Sequence, residues 1–203
     1  MSSARFVVVS GLPGSGKTTL GRALSERLGL PLIDKDDILE CLFDVLGCTT
    51  FEERHRLSRA AYEVLFRMAA TAGSAVLVNW WHHDTAPDRL RSLSDDLVEV
   101  FCECPVEVAM ERFIARRRHP GHLDHLRTPA DHAESARHFS SFYPGPLILG
   151  GTVVKVQTDG TVDVDSLIDE VMGWSPCSRQ LPGAEEDLVH DYRERTAGID
   201  HDA

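Results

Sequence analysis

Five short apolar runs are spaced along the chain, and each predicts a buried β-strand. The runs are continuous rather than alternating between apolar and polar residues, which is typical of strands that are covered on both faces. Glycine, asparagine or acidic residues end or follow most of them, as expected where a strand gives way to a loop. The predicted strands are Phe6–Ser10, Pro31–Asp34, Ala75–Asn79, Leu97–Cys102 and Val153–Gln157.

Helical patterns fill the segments between these strands. In Thr18–Leu28, leucines recur at every fourth position, and Gly29 then ends the predicted helix. Phe51–Ala72 has apolar residues at helical spacing along one face, which predicts a longer helix. Further helices are predicted at Asp36–Leu46 and at about 105–118, 129–141 and 163–172. Because strands and helices alternate, we expect an α/β fold in which helices cover both faces of a parallel sheet.

The length and composition fit one globular domain. The chain has 203 residues, of which 42% are apolar and 26% are charged, an ordinary balance for a protein with a packed core. From about residue 176 the sequence becomes loop-like and then strongly charged. We therefore predict one domain at residues 1–175 and an appendage at 176–203, either one short helix or a disordered segment.

Acidic residues outnumber lysines and arginines by 32 to 21, for a formal net charge of −11. Such a chain repels polyphosphates and anionic surfaces, so neither nucleic acid nor a membrane is an expected partner. No stretch approaches the ~18–20 apolar residues of a membrane span, and the first apolar run is too short for a secretory signal. The odd number of cysteines, five, indicates reduced thiols and a cytoplasmic protein. We expect a monomer or a homodimer.

The segment from Gly11 to Thr18, Gly-Leu-Pro-Gly-Ser-Gly-Lys-Thr, fits the pattern G-x-x-x-x-G-K-[ST] at every fixed position. In such a loop, glycines let backbone N–H groups converge on a phosphate, and the following helix adds its positive N-terminus. Lys17 is expected to reach the β- and γ-phosphates of ATP or GTP, and the Thr18 hydroxyl to bind Mg²⁺. The predicted nucleotide-binding residues here are Gly11, Gly14, Ser15, Gly16, Lys17, Thr18 and Thr19.

Two classes of nucleotide-binding protein lack support in the sequence. A GTPase carries an N-K-x-D guanine signature, and this chain has none. A motor ATPase carries an apolar strand that ends in Asp-Glu, whereas the third predicted strand ends in Val78-Asn79 and is followed by Trp80. Both observations argue against a switch or a motor.

An acidic cluster, Asp34-Lys35-Asp36-Asp37, follows the second predicted strand. Here the sequence resembles the small P-loop kinases. Asp34 and Asp36 match the Asp-x-Asp of shikimate kinases, and Lys35-Asp36-Asp37 is similar to the Arg-Asp-Asp of polynucleotide kinases. Chloramphenicol phosphotransferase, gluconate kinase and zeta-toxin kinases have related arrangements. The resemblance covers about residues 5–172, and it implies a P-loop NTPase fold with sheet order 2-3-1-4-5 and a mobile lid.

Phosphoryl transfer to an alcohol needs a carboxylate that accepts the hydroxyl proton. The resemblance implies that Asp36 is this base and that Asp34 lies in the Mg²⁺ shell. The alternative is that these acids only cap the next helix and interact with its dipole, and this alternative is favoured for Asp37.

Four arginines occur within seven residues, from Arg112 to Arg118. The resemblance implies that Arg112 stacks on the purine and that Arg116 and Arg117 contact the transferred phosphoryl group. The choice among Arg116, Arg117 and Arg118 stays open, as does the alternative of a solvated basic helix end. The implied lid spans about 113–140.

Histidines are dense within this lid. Metal binding is disfavoured because a Pro-Gly pair interrupts any helix that would align the ligands. His122 is instead a candidate substrate contact, and a solvated loop is the alternative reading of the segment.

The third predicted strand ends in the polar and aromatic segment Asn79-Trp80-Trp81-His82. Ligands of open α/β sheets bind beyond the carboxyl ends of the strands. We therefore predict that all four residues contact the acceptor, with stacking by tryptophan and hydrogen bonds from asparagine or histidine. The alternative is that one tryptophan belongs to the core.

Together these features predict a kinase that transfers the γ-phosphoryl group of ATP or GTP to a hydroxyl of a small molecule. An antibiotic, nucleoside or sugar-bearing, is the specific acceptor suggested by the family resemblance, which would make the protein a resistance enzyme. One alternative is a polynucleotide 5′-hydroxyl kinase, but the negative charge opposes it, and Leu39 stands where that family has arginine. A second alternative is a nucleotide-binding regulator without catalysis.

Overall fold

In the computed structural model all five strands form one parallel sheet with the order β2-β3-β1-β4-β5. This confirms the order that the resemblance implied. The strands are β1 Arg5–Gly11, β2 Leu32–Asp34, β3 Ala75–Val78, β4 Asp96–Glu103 and β5 Thr152–Gln157. The structure describes residues 5–142 and 145–173. The predicted appendage, 176–203, lies outside the described residues and stays a prediction.

Seven α-helices occur within the described residues. They are α1 Lys17–Leu28, α2 Lys35–Leu46, α3 Phe51–Ala72, α4 Ala86–Leu93, α5 Val106–Ala115, α6 Pro129–Phe142 and α7 Val164–Met172. The sequence pattern missed α4, which has only eight residues. It also extended α5 too far, because the backbone of Arg116 is already extended, with φ −75° and ψ 140°.

The strands bury alternate side chains on the two faces of the sheet. Phe6 and Val8 pack with α3 and α4 on one face, whereas Val7 and Val9 pack with α1 and α7 on the other. A third apolar cluster, around Leu12, holds α5 and α6 against the loop after β1. The sheet is therefore covered on both faces, as the continuous apolar runs predicted.

Because the strands are parallel, their carboxyl ends meet at one edge of the sheet. β1 ends in the glycine-rich loop, β2 in Asp34, and β3 just before Asn79. Three of the predicted functional segments are thus brought together by topology alone. None of the helices in the described part of the chain is long and apolar enough to cross a bilayer.

Candidate active site

The loop between β1 and α1 contains glycines at positions where a side chain would clash or would strain the backbone. Gly14 has φ 83°, and a Cβ atom there would lie 2.0 Å from the carbonyl oxygen of Ala109 on α5. Gly16 has φ 93° and is the N-cap of α1, with no side chain bonded to the first free N–H groups of that helix. The loop therefore offers backbone donors and a positive helix end to an anion.

The ammonium group of Lys17 is folded onto this loop. Its Nζ donates hydrogen bonds to the carbonyl oxygens of Gly11, at 3.0 Å, and Leu12, at 2.7 Å. The Lys17 pKa is lowered to about 8, mainly because the ammonium group is buried. A phosphate beside Nζ favours the charged form, so the position suits a ligand that carries negative charge.

Two side chains with oxygen atoms suited to a hard metal ion, Thr18 and Asp34, lie together next to the loop. The Thr18 hydroxyl donates to one carboxylate oxygen of Asp34 at 2.9 Å, and the other oxygen accepts from the backbone N–H of Asp36 at 2.9 Å. Burial raises the Asp34 pKa to about 6. This pair fits Mg²⁺, which usually takes one or two protein oxygens and completes its shell with phosphate and water. Within residues 5–142 and 145–173, no group of three acidic, histidine or cysteine side chains is placed to hold a metal without such help.

Asp36 lies in the first turn of α2, with its side chain 44% exposed and the Lys35 Nζ at 3.4 Å. Desolvation raises its pKa, but the positive charge of Lys35, together with His122 when it is protonated and Lys17, outweighs this and holds the pKa below its ordinary value. Asp36 is therefore ionised at neutral pH. Asp37 points to solvent instead and lies 3.5 Å from Arg22, in keeping with the helix-end interpretation.

One cavity of about 1430 Å³ runs from the phosphate loop to the predicted acceptor residues. Most of the predicted site residues line it. These are Gly14, Gly16, Lys17, Thr18, Thr19, Asp34, Asp36, Asn79, Trp80, His82, Arg112, Arg116 and His122. Gly11 and Ser15 shape the loop without lining the cavity, and Ser15 is completely buried.

Arg112 closes one end of the cavity. Its guanidinium donates to the carbonyl oxygens of Thr158, at 2.6 Å, and Asp159, at 2.7 Å. These two residues begin the connection between β5 and α7, which lines the same end through Gly160 and Val162. The Arg112 guanidinium is thus held at a part of the cavity that glycine and valine also line, a setting suited to a flat ring.

Besides Gly11 and Ser15, two more predicted site residues, Trp81 and Arg117, do not line the cavity. The Trp81 side chain is 3% exposed, its indole Nε1 donates to the Val9 carbonyl at 2.9 Å, and its ring packs edge-on against Phe66. This corrects the prediction that Trp81 contacts the acceptor, because neighbouring residues point in different directions and only Trp80 reaches the cavity. Arg117 is exposed and outside the cavity, whereas Arg118 lines it, so Arg118 replaces Arg117 as a phosphate-facing candidate.

The predicted lid, 113–140, consists of the end of α5, two 3₁₀ turns and most of α6. The first turn, Pro120–His122, packs on α2, and His119 just before it lies 3.2 Å from Asp44. Arg118 forms an ion pair with Asp124 through both carboxylate oxygens. The mobility of this segment stays a prediction.

Sequence reasoning missed a buried cation, Arg54. Its side chain lines the cavity, it is 8% exposed, and its Nε has no hydrogen-bond partner among the described residues. Burial lowers its pKa, Asp36 opposes this effect, and Arg118 and Arg127 add to it. The available signal was a polar stripe on α3, since Arg54, Ser58 and Tyr62 recur at every fourth residue and all line the cavity.

Comparison with known proteins points to one family. The family model described as AAA domain matches residues 6–137. Shikimate kinase from Ruegeria pomeroyi is 27% identical over 177 residues, which cover 83% of both chains. A shorter match, 58% identical over 40 residues, is to shikimate kinase from Thermobifida fusca and spans 23% of that enzyme.

Solved structures agree with these matches. A protein from Chloroflexus aurantiacus J-10-fl, described as a kinase, is 30% identical, with a TM-score of 0.74 over 85% of this chain and 98% of that one. A gluconokinase from Sinorhizobium meliloti 1021 is 18% identical, with a TM-score of 0.53 over 85% of this chain and 92% of its own, and shows the same fold. The chain therefore belongs to this AAA-domain family and is a small P-loop kinase, an enzyme that transfers a phosphoryl group to a hydroxyl of a small molecule.

Proposed function

We propose that the protein transfers the γ-phosphoryl group of ATP to a hydroxyl of a small acceptor that also carries a negative charge. The observation that carries this proposal is the placement of Asp36 and Arg54 in one cavity. Asp36 is an ionised carboxylate beside the phosphate loop, and Arg54 is a buried guanidinium whose Nε lacks a partner among the described residues.

The nucleotide end of the cavity supports ATP binding. The loop N–H groups and Lys17 would hold the β- and γ-phosphates, and Arg112 would stack on the base. Arg116 and Arg118 line the cavity beyond Phe113, with their guanidiniums 5.3 Å and 4.4 Å from its ring centre. From there they would stabilise the charge that develops during transfer. GTP is the alternative nucleotide.

Thr18 and Asp34 would hold Mg²⁺, which neutralises phosphate charge when bound. Asp36 would orient the acceptor hydroxyl and take its proton as the oxygen attacks the γ-phosphorus. The P–O bond to the departing ADP breaks as the new P–O bond forms. The proton remains on Asp36 until the product leaves.

The acceptor end of the cavity is rich in positive charge. Lys35, Arg54, Arg118 and Arg127 line it together with Asp36, and Asp124 is the carboxylate that pairs with two of these arginines. A buried guanidinium nitrogen without a hydrogen-bond partner is costly, so an acceptor that brings a carboxylate or phosphate is favoured. Two relatives are named shikimate kinase and gluconokinase, and the acceptors in these names, shikimate and gluconate, carry a carboxylate.

The comparisons support transfer to a small molecule, and they give no support to an antibiotic as the acceptor. A neutral antibiotic brings no negative charge to the Arg54 guanidinium, whereas an acidic one fits the same site. The polynucleotide alternative is opposed by the net charge of −11.

A transfer assay with a defined panel tests the proposal. The full-length protein would be given ATP and Mg²⁺ together with shikimate, gluconate, their methyl ester or amide counterparts, nucleoside antibiotics, or an oligonucleotide with a free 5′-hydroxyl. We expect ³²P transfer to an anionic acceptor and at least about tenfold less to its neutral counterpart, the effect of one lost charged hydrogen bond. Equal use of charged and neutral partners, or transfer to the oligonucleotide alone, would contradict it.

A further inference from the structure

The 3₁₀ turn Pro120–His122 packs directly on α2. A Cβ atom on Gly121 would lie 2.9 Å from the Phe43 side chain, so the close approach needs glycine. Leu123, the next residue, has φ 54° and is the one non-glycine residue with positive φ among those the structure describes. Strained backbone of this kind persists where the surrounding structure holds it. The turn therefore has a fixed place against the helix that carries Asp36.

His122 is the residue that this turn delivers to the cavity. It is 2% exposed and lines the cavity, and its Nε2 lies 3.0 Å from Oε1 of Glu40. Its second ring nitrogen, Nδ1, has no hydrogen-bond partner among the described residues. Glu40 follows Asp36 by four residues on α2, so both carboxylates lie on one side of that helix.

Four charged groups face the His122 ring. Burial lowers its pKa most, Arg118 and Arg54 lower it further, and Asp36 and Glu40 oppose them, with a net pKa below the ordinary value. The imidazole is then neutral and carries one N–H. A carboxylate has only acceptor sites, so the proton belongs on Nε2, where Glu40 accepts it, and Nδ1 keeps a free lone pair.

We infer that Glu40 is a positioning residue, which holds His122 with its proton on Nε2 so that Nδ1 accepts a hydrogen bond from a second hydroxyl of the acceptor. The acceptor is then a diol or polyol, phosphorylated at one hydroxyl beside Asp36 and recognised through a neighbouring one. An acceptor without that hydroxyl leaves a buried ring nitrogen unpaired, which is the type of loss that gives strong discrimination. This inference rests on the proposed kinase function.

The positioning role is testable without any substrate. Long-range ¹H–¹⁵N spectra of histidine-labelled protein report which ring nitrogen carries the proton. His119 is the internal reference, because its Nδ1 accepts from the Gly121 N–H and its Nε2 faces Asp44. We expect His122 in the Nε2–H form at pH 7 to 8. Glu40→Ala should give a mixture of tautomers and a lower His122 pKa, and Asp44→Ala should leave His122 unchanged. An Nδ1–H form in the wild type, or no response to Glu40→Ala, would overturn the inference.

The recognition role is tested with paired acceptors. Shikimate and gluconate would each be compared with single-deoxy analogues that lack a hydroxyl next to the phosphorylated one. The wild type should prefer the parent acceptor by about tenfold or more in kcat/KM, and Glu40→Ala should lose most of that preference with the ATP KM unchanged. A preference that survives Glu40→Ala would reject the role of Glu40. Absence of transfer to any acceptor would count against the kinase proposal instead, and the spectra would still decide the tautomer.

Discussion

Thr18 and Asp34 are joined by a hydrogen bond of 2.9 Å between the threonine hydroxyl and a carboxylate oxygen. The bond links the first turn of α1 to the end of β2. The second oxygen of the same carboxylate caps α2 by accepting from the Asp36 N–H. One side chain therefore fixes the helix that carries the proposed base relative to the loop that binds phosphate.

Removing the charge of Lys17 should abolish transfer and leave the fold intact. Lys17→Ala takes away the ammonium that would stabilise the γ-phosphoryl group in the transition state. We expect kcat to fall by about 10²-fold or more, equivalent to about 3 kcal/mol. Steady-state kinetics and circular dichroism measure the two effects, and wild-type turnover in this variant would contradict the nucleotide site.

Replacing Arg112 should weaken nucleotide binding more than it slows transfer. Arg112→Ala removes the guanidinium that the Thr158 and Asp159 carbonyls hold at the predicted base site. Loss of an interaction that is equal in the ground and transition states raises KM and spares kcat. We expect the ATP KM to rise about tenfold. Arg117→Ala, at an exposed position outside the cavity, is the control that should change neither constant, and an unaltered KM in Arg112→Ala would exclude the stacking role.

Replacing Arg54 should stabilise the fold and at the same time weaken acceptor binding. Arg54→Met keeps much of the side-chain volume but removes a buried charge whose Nε has no partner in the described part of the chain. The free energy of unfolding should rise by about 1 kcal/mol. The acceptor KM should rise about tenfold or more, because a charged hydrogen bond is lost.

Arg56→Met, two residues along α3 and exposed, is the matched control. Urea unfolding and acceptor titrations should show little change there. An Arg54→Met variant that is less stable, with its acceptor KM unaltered, would show that Arg54 is structural.

Glu99 should make stability depend on pH. Its carboxylate, 1% exposed on β4, accepts from the Ser10 hydroxyl and the Leu147 N–H, and burial raises its pKa from 4.5 to about 7. Between these two values the folded protein holds a proton that the unfolded chain has lost. The free energy of unfolding should therefore fall as pH rises through this range.

Glu99→Gln cannot ionise and should flatten that dependence. Urea unfolding at pH 5, 6, 7 and 8 measures it, with the exposed Glu52→Gln as the control. Parallel stability curves for the wild type and Glu99→Gln would argue against an ionisation of Glu99 within this range.

The sequence was sufficient for the sheet and for the phosphate loop, because both depend on local signals. A continuous apolar run predicts a strand without knowledge of what packs on it. The glycine and lysine pattern of the phosphate loop is likewise specific on its own. The pattern was not sufficient for Trp81 or Arg54. Whether a tryptophan next to Trp80 faces the core, and whether an arginine on α3 is buried, depend on how the helices pack against the sheet. Helix α4 was missed because its eight residues are too few to show a clear helical period.

The account depends most on Asp36 as the group that accepts the hydroxyl proton. The most direct test is a parallel measurement of ATP Kd and single-turnover transfer rate for Asp36→Asn and Asp37→Asn, with the acceptor found in the panel. Asparagine keeps the shape of aspartate but cannot take the proton, so Asp36→Asn should bind ATP nearly normally and lose about 10²- to 10⁴-fold in rate. Asp37→Asn should cost at most about 1 kcal/mol of helix stability and retain its rate. A fast Asp36→Asn variant would contradict the proposed mechanism.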